Sequence, residues 1–204
     1  MVTLYIIRHG ETDWNKAGRL QGQTNIPLNA NGIHLAEQTG EGLKDVPFDL
    51  AISSPLDRAM ETARQVLRGR IVPVIPDERI EEISFGDWEG ENIRGESKIL
   101  PVDFWQIFKE NPAAYKRPPH GENFADVLKR TGELYRDLCT KPEYQGKTIL
   151  ISSHGCASRC FLNHFFEDKE DVWRGGVPKN CAVSIAKIIK GVGKVEELDH
   201  IYYE

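Results

Sequence analysis

Three short groups of polar residues combine side chains that can do phosphoryl chemistry. Arg8 and His9 stand together near the start of the chain, Arg58 follows a Ser-Ser-Pro turn, and His154 follows two serines. A guanidinium group matches the oxygens of a phosphoryl group with two parallel hydrogen bonds. A neutral imidazole is both nucleophilic and a good leaving group near neutral pH. These residues in one cleft would therefore bind a phosphoryl group and offer a nucleophile to it.

The elements that must position these residues follow from the hydrophobic pattern. Short apolar runs rich in β-branched residues predict strands over residues 2–7, 48–53, 71–75, 147–152, 183–189 and 192–202. Apolar residues at helical spacing predict helices over residues 31–43, 56–67, 122–138 and 156–166. This alternation predicts an α/β fold of three layers (α/β/α), with a mostly parallel central sheet and helices on both faces. Ligands of such sheets bind at the carboxyl ends of the strands, where all three polar groups fall.

Length and composition limit the domain count and the classes of partner. The chain has 204 residues, of which 40% are apolar and 28% charged, as in globular proteins, and this fits a single domain over residues 1–204. A net charge of −5 offers no global positive field to nucleic acid or to an anionic membrane. No apolar run approaches the roughly 18 residues of a membrane span. We therefore expect neither nucleic-acid nor membrane partners, and a monomer or homodimer.

The cellular compartment is inferred from the first residues and the cysteines. The first seven residues are mostly apolar and are followed by Arg8. This start has neither the basic residues nor the long apolar stretch of a secretory signal. Its four cysteines, in a chain of this size, are typical of reduced thiols rather than of a disulfide framework. We expect a cytoplasmic protein.

One stretch departs from the regular alternation. Residues 82–120 contain Gly86, Gly90 and Gly95 and end in two prolines, which predicts an insertion or lid at about residues 91–120. The aromatic run from Phe104 to Phe108 lies within it. We expect this run to pack in the core or to form the apolar face of the lid.

Several motifs, in the same order along the chain, then resemble those of one family. Arg8-His9-Gly10-Glu11-Thr12 resembles the RHG-E/Q-T motif of the histidine phosphatase superfamily, which includes the cofactor-dependent phosphoglycerate mutases. The resemblance extends nearly from end to end of the chain. The other matching segments are Asn15, Gly18 to Gly22 leading to Pro27-Leu28, Ser53 to Ala63, Glu82 to Gly90, Pro119 to Glu122, and Ser153-His154-Gly155.

The resemblance implies a role for each matching residue. His9 would attack phosphorus and become transiently phosphorylated, while Arg8, Arg58 and His154 hold the phosphoryl oxygens in the transition state. Substrate binding would also involve neutral groups, at Asn15, Gln21, Gly22 and Gly155. Because side chains supply the positive charge, the resemblance implies neither a metal nor a cofactor.

The leaving oxygen needs a proton, and the acid of the family aligns with Glu82. Its neighbour Glu81 is the alternative. Adjacent carboxylates in an extended loop point in different directions, so only one is expected in the cleft. The register of the motif favours Glu82.

Two other classes of function are weaker. His154, Cys156 and Cys160 lie close together, but no Cys-x-x-Cys pair and no fourth ligand accompany them at zinc spacing, so both thiols are expected to pack as small apolar groups. A module that only binds phosphate needs arginines but has no use for His9 together with Glu82.

Within the enzyme class, a phosphatase and a mutase remain open. We favour a metal-independent phosphomonoester hydrolase acting on a small phosphorylated metabolite. The insertion is compact, and the sequence from Phe85 to Gly90 resembles the phosphatase branch of the family more than the mutase branch. The alternative is a phosphoglycerate mutase primed by 2,3-bisphosphoglycerate. The basic residues in the insertion keep a substrate with a carboxylate group as an alternative: Arg94, Lys98, Lys109, Lys116 and Arg117.

Asn25 departs from the family pattern, which often has aspartate at this position, and this puts local loop interactions in doubt.

Overall fold

A six-stranded sheet forms the centre of the molecule in the computed structural model, which describes residues 1–95, 97 and 99–204. The strands are Val2–Arg8 (β1), Leu50–Ser53 (β2), Val74–Pro76 (β3), Thr148–Ser153 (β4), Val183–Ile189 (β5) and Val192–His200 (β6). Their order is β3-β2-β4-β1-β5-β6. The first four strands in this order are parallel, and β5 and β6 add an antiparallel edge. The predicted fold class, a mostly parallel α/β sheet, is confirmed.

The helices cover both faces of this sheet. They are Asp13–Ala17 (α1), Ala30–Gly42 (α2), Asp57–Val66 (α3), Phe104–Glu110 (α4), Phe124–Thr140 (α5) and Gly155–Asn163 (α6). On one face, α2 and α3 bury Ala36 and Val66 against the sheet residue Leu150. On the other face, α5 and α6 bury Leu134 and Phe161 in the cluster that contains the sheet. The side chains of β1 point alternately to the two cores, as expected for a strand in the middle of a three-layer fold.

Element types agree with the sequence predictions more closely than element ends do. The third strand was expected over residues 71–75, but β3 is Val74–Pro76, and Ile71 is fully exposed. The helix expected over residues 156–166 ends at Asn163, because the next amides bond three residues back in a tighter turn. The short helix α1 was not predicted. It begins at the capping box formed by Thr12 and Asn15.

The aromatic run of the insertion packs inward. Phe104 and Phe108 of α4 are buried, and Phe108 contacts Phe124 of α5 and Trp173 from the loop before β5. Phe85, which precedes the insertion, contacts the same two α4 rings. The segment is therefore joined to the body of the molecule by a shared aromatic core.

Candidate active site

His9 stands immediately after β1, with its main chain fixed on both sides. Its backbone N–H donates to the carbonyl of Ser153 at 2.9 Å, and its own carbonyl accepts from Asn180 Nδ2 at 2.9 Å. The ring Nδ1 lies 2.7 Å from the carbonyl of Gly10. A carbonyl only accepts, so Nδ1 carries the proton and Nε2 of the neutral ring holds a free lone pair.

The turn after His9 requires glycine for a close approach between two backbones. A Cβ atom on Gly10 would overlap the carbonyl of Gly32, at the start of α2. The Gly10 amide donates to Thr62 Oγ1 at 2.9 Å, and this hydroxyl donates to the Arg58 carbonyl at 2.6 Å. The loop that carries His9 is therefore bonded directly to the helix that carries Arg58.

Arg58 is fully buried in the first turn of α3. Its two terminal nitrogens donate to the carbonyls of Gly22 at 2.6 Å and of Thr24 at 3.0 Å, while its Nε is buried without a hydrogen-bond partner. Burial lowers its pKa to about 10, so the group stays positive at neutral pH. A Cβ atom on Gly22 would overlap the Glu89 side chain and lie 2.8 Å from the Ile83 carbonyl oxygen, so the backbone at Gly22 packs closely against the segment after Glu82.

Arg8 supplies a second cation at the end of β1. One terminal nitrogen donates to the Pro178 carbonyl at 2.5 Å, and its Nε is buried without a partner. The buried surroundings of the guanidinium lower its pKa. In the part of the chain that the structure describes, neither Arg8 nor Arg58 forms an ion pair with a carboxylate. Two cations in a largely buried site without an ion-pair partner are costly, which makes the pair a site for an anion.

His154 faces His9 from the next strand of the sheet. It follows β4, at the N-cap of α6, and its ring centre lies 5.1 Å from that of His9 at an interplanar angle of 59°. Its Nε2 hydrogen-bonds to Ser54 Oγ at 2.8 Å, and its Nδ1 is buried without a partner. Burial lowers the pKa of both imidazoles well below the ordinary value, and the charge of Arg58 lowers both further. Both rings are neutral at neutral pH.

Glu82 is the buried carboxylate of the site. Its Oε1 accepts from the amides of Ala157 at 2.9 Å and of Ile83 at 3.0 Å, and its Oε2 accepts from the amide of Cys156 at 3.2 Å. Two of these donors are the free N–H groups at the start of α6, where a negative charge is favoured. Glu81 lies beside it in sequence but does not line the same cavity.

A small cavity of about 110 Å³ joins several of the predicted site residues. Those that line it are Arg8, Asn15, Gln21, Glu82 and Gly155, whereas His9, Gly22, Arg58 and His154 do not. Gln21 Nε2 is buried in this region without a partner. A Cβ atom on Gly155 would lie 3.6 Å from Glu82 Oε2 and 3.8 Å from Arg8 Nε. The first residue of α6 therefore lies close to both the carboxylate of Glu82 and the guanidinium of Arg8.

Comparison with known proteins identifies the family. A family model described as "Histidine phosphatase superfamily (branch 1)" matches residues 4–200. The chain belongs to this superfamily. It is 32% identical to "Uncharacterized phosphatase PhoE" of Bacillus subtilis (strain 168), over 79% of this chain and 76% of that protein. It is 30% identical to "Probable phosphoglycerate mutase GpmB" of Proteus mirabilis (strain HI4320), over 90% of this chain and 84% of that protein.

The solved structures include a match of full length. The structure "Bacillus stearothermophilus YhfR" is 32% identical to this chain, and the match covers 100% of both chains with a TM-score of 0.89. The relatives thus include a protein named as a phosphatase and one named as a probable mutase.

Several residues around the site had no role assigned from the sequence. Thr62 and Ser54 belong to a segment that matches the family, but their links to Gly10 and His154 depend on the fold. Asn180 lies in a loop that matches no motif, so the sequence did not indicate that its side chain donates to the His9 carbonyl. The cavity also has an apolar wall that spacing does not predict: Leu20, Phe85, Ile93, Trp105, Phe108, Trp173 and Val177.

The basic residues of the insertion that the structure describes lie outside the cavity. Arg117 forms a paired contact with Asp126, Lys109 lies over the Trp105 ring at 4.5 Å, and Arg94 donates to the Lys16 carbonyl. Lys116 is exposed and lines none of the cavity, and Lys98 lies outside the described residues. Arg19 lines the cavity together with Arg8.

Asn25 retains a structural contact despite its departure from the family pattern. Its Oδ1 accepts from the amide of Asp57, the first residue of α3, at 2.9 Å. An amide oxygen can cap a helix N-terminus as a carboxylate does. The substitution therefore leaves the entry to the helix of Arg58 capped.

The cysteines show the packing expected of thiols. Cys156 and Cys160 are buried on one face of α6, with their sulfur atoms 3.9 Å apart, and all four cysteines are free. Among the described residues, no cluster of three His, Cys, Asp or Glu side chains has the arrangement of a metal site. No helix in the described part of the chain is long and apolar enough to cross a membrane.

Proposed function

We propose that this protein is a metal-independent phosphomonoester hydrolase that acts through a phosphohistidine intermediate on a small phosphorylated metabolite. One observation carries the proposal: a neutral, buried His9 lies beside two arginines that have no carboxylate partner within the described chain. Three buried donors near it lack partners, namely Arg8 Nε, Arg58 Nε and His154 Nδ1. A bound phosphoryl group would satisfy all three.

In the first step, His9 Nε2 attacks phosphorus and the bond to the ester oxygen breaks. Arg8 and Arg58 stabilise the negative charge on the phosphoryl oxygens. His154 acts as a third donor through Nδ1–H when the hydroxyl of Ser54 donates to its Nε2. Glu82 must enter this complex carrying a proton, which it gives to the leaving oxygen.

In the second step, water attacks the phosphohistidine from the side that the alcohol has left. Glu82, now ionised, accepts the proton of this water, and the P–N bond breaks as phosphate forms. His9 returns to its neutral state, and Glu82 holds the proton that it took from the water. The cycle consumes one ester and one water, and it releases one alcohol and one phosphate.

The alternative is a phosphoglycerate mutase, in which the phosphoryl group returns to a hydroxyl of the bound product. This reaction requires priming by 2,3-bisphosphoglycerate and positively charged residues that bind the carboxylate of the substrate. Here the wall beyond the phosphoryl site is mainly apolar and aromatic, and Arg19 is the one cation on it besides Arg8 among the described residues. Such a wall suits a leaving group without a carboxylate, and this favours the phosphatase.

The test is an assay in excess EDTA with 3-phosphoglycerate, with and without 2,3-bisphosphoglycerate, beside a panel of other phosphate monoesters. Free phosphate and 2-phosphoglycerate are followed together. We expect phosphate release that is fastest on an ester without a carboxylate and is unaffected by EDTA. Rapid formation of 2-phosphoglycerate with little free phosphate would establish the mutase. Activity lost in EDTA and restored by added metal would contradict the metal-independent mechanism.

A further inference from the structure

Arg130 of α5 uses its whole guanidinium group to hold the segment that carries Glu82. One terminal nitrogen donates to the carbonyls of Arg79 at 3.0 Å and Glu81 at 2.6 Å, and the other donates to the carbonyl of Glu82 at 3.0 Å. Residues 79–82 lie outside the strands of the sheet, so strand pairing does not hold them. Arg130 therefore holds the main chain of this segment from α5, and Gln23 Nε2 adds a second bond to the Glu82 carbonyl at 3.1 Å.

Glu122 holds Arg130 in the orientation that this requires. Its two carboxylate oxygens accept from Arg130 Nε and a terminal nitrogen, both at 2.9 Å, in the paired geometry that a guanidinium allows. Glu122 also accepts from the amide of Ser84 at 3.0 Å and donates its own amide to the Ser84 carbonyl at 2.8 Å. The ion pair is thus bonded to both sides of Glu82 along the loop.

Arg130 itself does not reach the reaction. It does not line the cavity, and its contacts with Glu82 are to the main-chain carbonyl. The carboxylate of Glu82 is held separately by the amides of α6. The backbone of the acid is therefore held by Arg130 of α5 and by Gln23, and its carboxylate is held by the amides of α6 and of Ile83.

We propose that Arg130, oriented by Glu122, is a positioning residue for proton transfer by Glu82. The inference rests on the proposed function, in which Glu82 protonates the leaving oxygen. Loss of the contacts would let the loop shift, and a displacement near 1 Å at a catalytic group can lower a rate about 100-fold. The loss should fall on substrates that need the acid.

The experiment compares kcat/KM for an alkyl phosphate, whose leaving group needs a proton, with that for 4-nitrophenyl phosphate, whose leaving group does not. For Arg130→Gln we expect a loss of about 10- to 100-fold on the alkyl ester and under about threefold on the aryl ester. An equal loss on both esters, or no loss on either, would overturn the proposal.

Arg70 provides a matched control. Its guanidinium also donates to three backbone carbonyls, but these lie at the C-terminal end of α2 and in the loop after it: Gly40, Leu43 and Val46. Arg70→Gln removes a similar set of bonds, so it should lower stability and leave the ratio of the two rates unchanged. A changed ratio in this control would show that the ratio reports general loosening, and the proposal would fall.

Arg130→Lys separates the effect of the charge from that of the hydrogen-bond geometry. If the glutamine variant does not fold, this variant tests the positioning role instead. Lysine keeps the charge but cannot form the planar paired contact with Glu122 while also reaching the carbonyls. We expect an alkyl-selective loss of about fivefold or more. Rates equal to those of the unchanged protein would show that charge alone suffices and would refute the positioning role.

Glu82→Gln separates a failure of this inference from a failure of the proposed function. If Glu82→Gln lowers both ester rates equally, the acid role itself is wrong. If Glu82→Gln is selective for the alkyl ester and Arg130→Gln is not, Glu82 remains the acid and Arg130 is structural only.

Discussion

The two sides of the site are built in different ways. On the phosphoryl side, Arg8 ends β1 and His9 follows it, His154 follows β4, and Arg58 lies in the first turn of the helix after β2. On the acid side, Glu82 stands in a loop and is held by bonds from residues 48 and 75 positions away, at Arg130 and Ala157. The phosphoryl side takes its geometry from the sheet, whereas the acid side takes it from side-chain and helix-end hydrogen bonds.

This difference predicts different sensitivities. Residues at the ends of neighbouring parallel strands are fixed by the ladder of the sheet, so their positions tolerate changes elsewhere in the chain. A loop held by a few long-range hydrogen bonds can shift when one bond is lost. Substitutions around the phosphoryl side should therefore change the rates of all esters together, and substitutions around the acid side should change the dependence on the leaving group.

The largest effect is expected for His9→Ala. Removal of the nucleophile should lower kcat/KM by about 10⁴-fold or more on alkyl and aryl esters alike, because no other group can form the intermediate. Steady-state kinetics measures the loss, and circular dichroism with thermal melting checks that the fold is intact. Retained activity in the folded variant would refute the covalent mechanism.

Arg58→Gln should give the next largest effect, and it should not depend on the leaving group. The arginine holds phosphoryl oxygens in either class of ester, so we expect a loss of about 100- to 1,000-fold for both. The ratio of alkyl to aryl kcat/KM measures the selectivity. A loss confined to alkyl esters would show that the two sides are not separate.

The protonation of the imidazoles gives a smaller test of the same side. Burial and the charge of Arg58 lower the pKa of His9, so its ring should stay neutral until the pH falls well below about 6.5. Removal of a positive neighbour stabilises the imidazolium, so Arg58→Gln should raise the pH at which His9 titrates. Nitrogen NMR of the rings measures both. An ordinary titration near 6.5 in the unchanged protein would contradict the burial of a neutral nucleophile.

Asn25→Ala should have the smallest effect. It removes one hydrogen bond to the first turn of α3 and should cost about 1 kcal/mol of unfolding free energy, while kcat/KM stays unchanged because Arg58 is held by other carbonyls. Denaturant unfolding measures the cost, and Asn25→Asp, which keeps the acceptor, is the control. A loss of kcat/KM without a loss of stability would place Asn25 in the site.

The same contrast explains how much of the molecule the sequence could predict. The strands, their polar ends and the arginine and histidine pairs were predictable, because apolar runs end where Arg8 and His154 begin. Helix α1 and the true start of β3 were not, since both depend on a short capping box and on local exposure rather than on a periodic pattern.

On the acid side, family register selected Glu82 over Glu81, but nothing in the spacing indicated what holds it. The guanidinium of Arg130 reaches the loop only because α5 packs beside it, and its partner Glu122 lies eight residues away in the sequence. The apolar wall has the same origin, because Trp105 and Trp173 line one cavity only in the folded chain. Contacts of this kind become visible when the fold is known.

The central claim is a two-step transfer through a phosphoenzyme. The most direct test is the stereochemical course at phosphorus, measured with a thiophosphate monoester made chiral with two oxygen isotopes and hydrolysed in water that carries the third. Each in-line displacement inverts the configuration, so transfer to His9 and then to an acceptor should give overall retention. Inversion would mean that water attacks the ester directly, and it would contradict the account of His9 as the nucleophile.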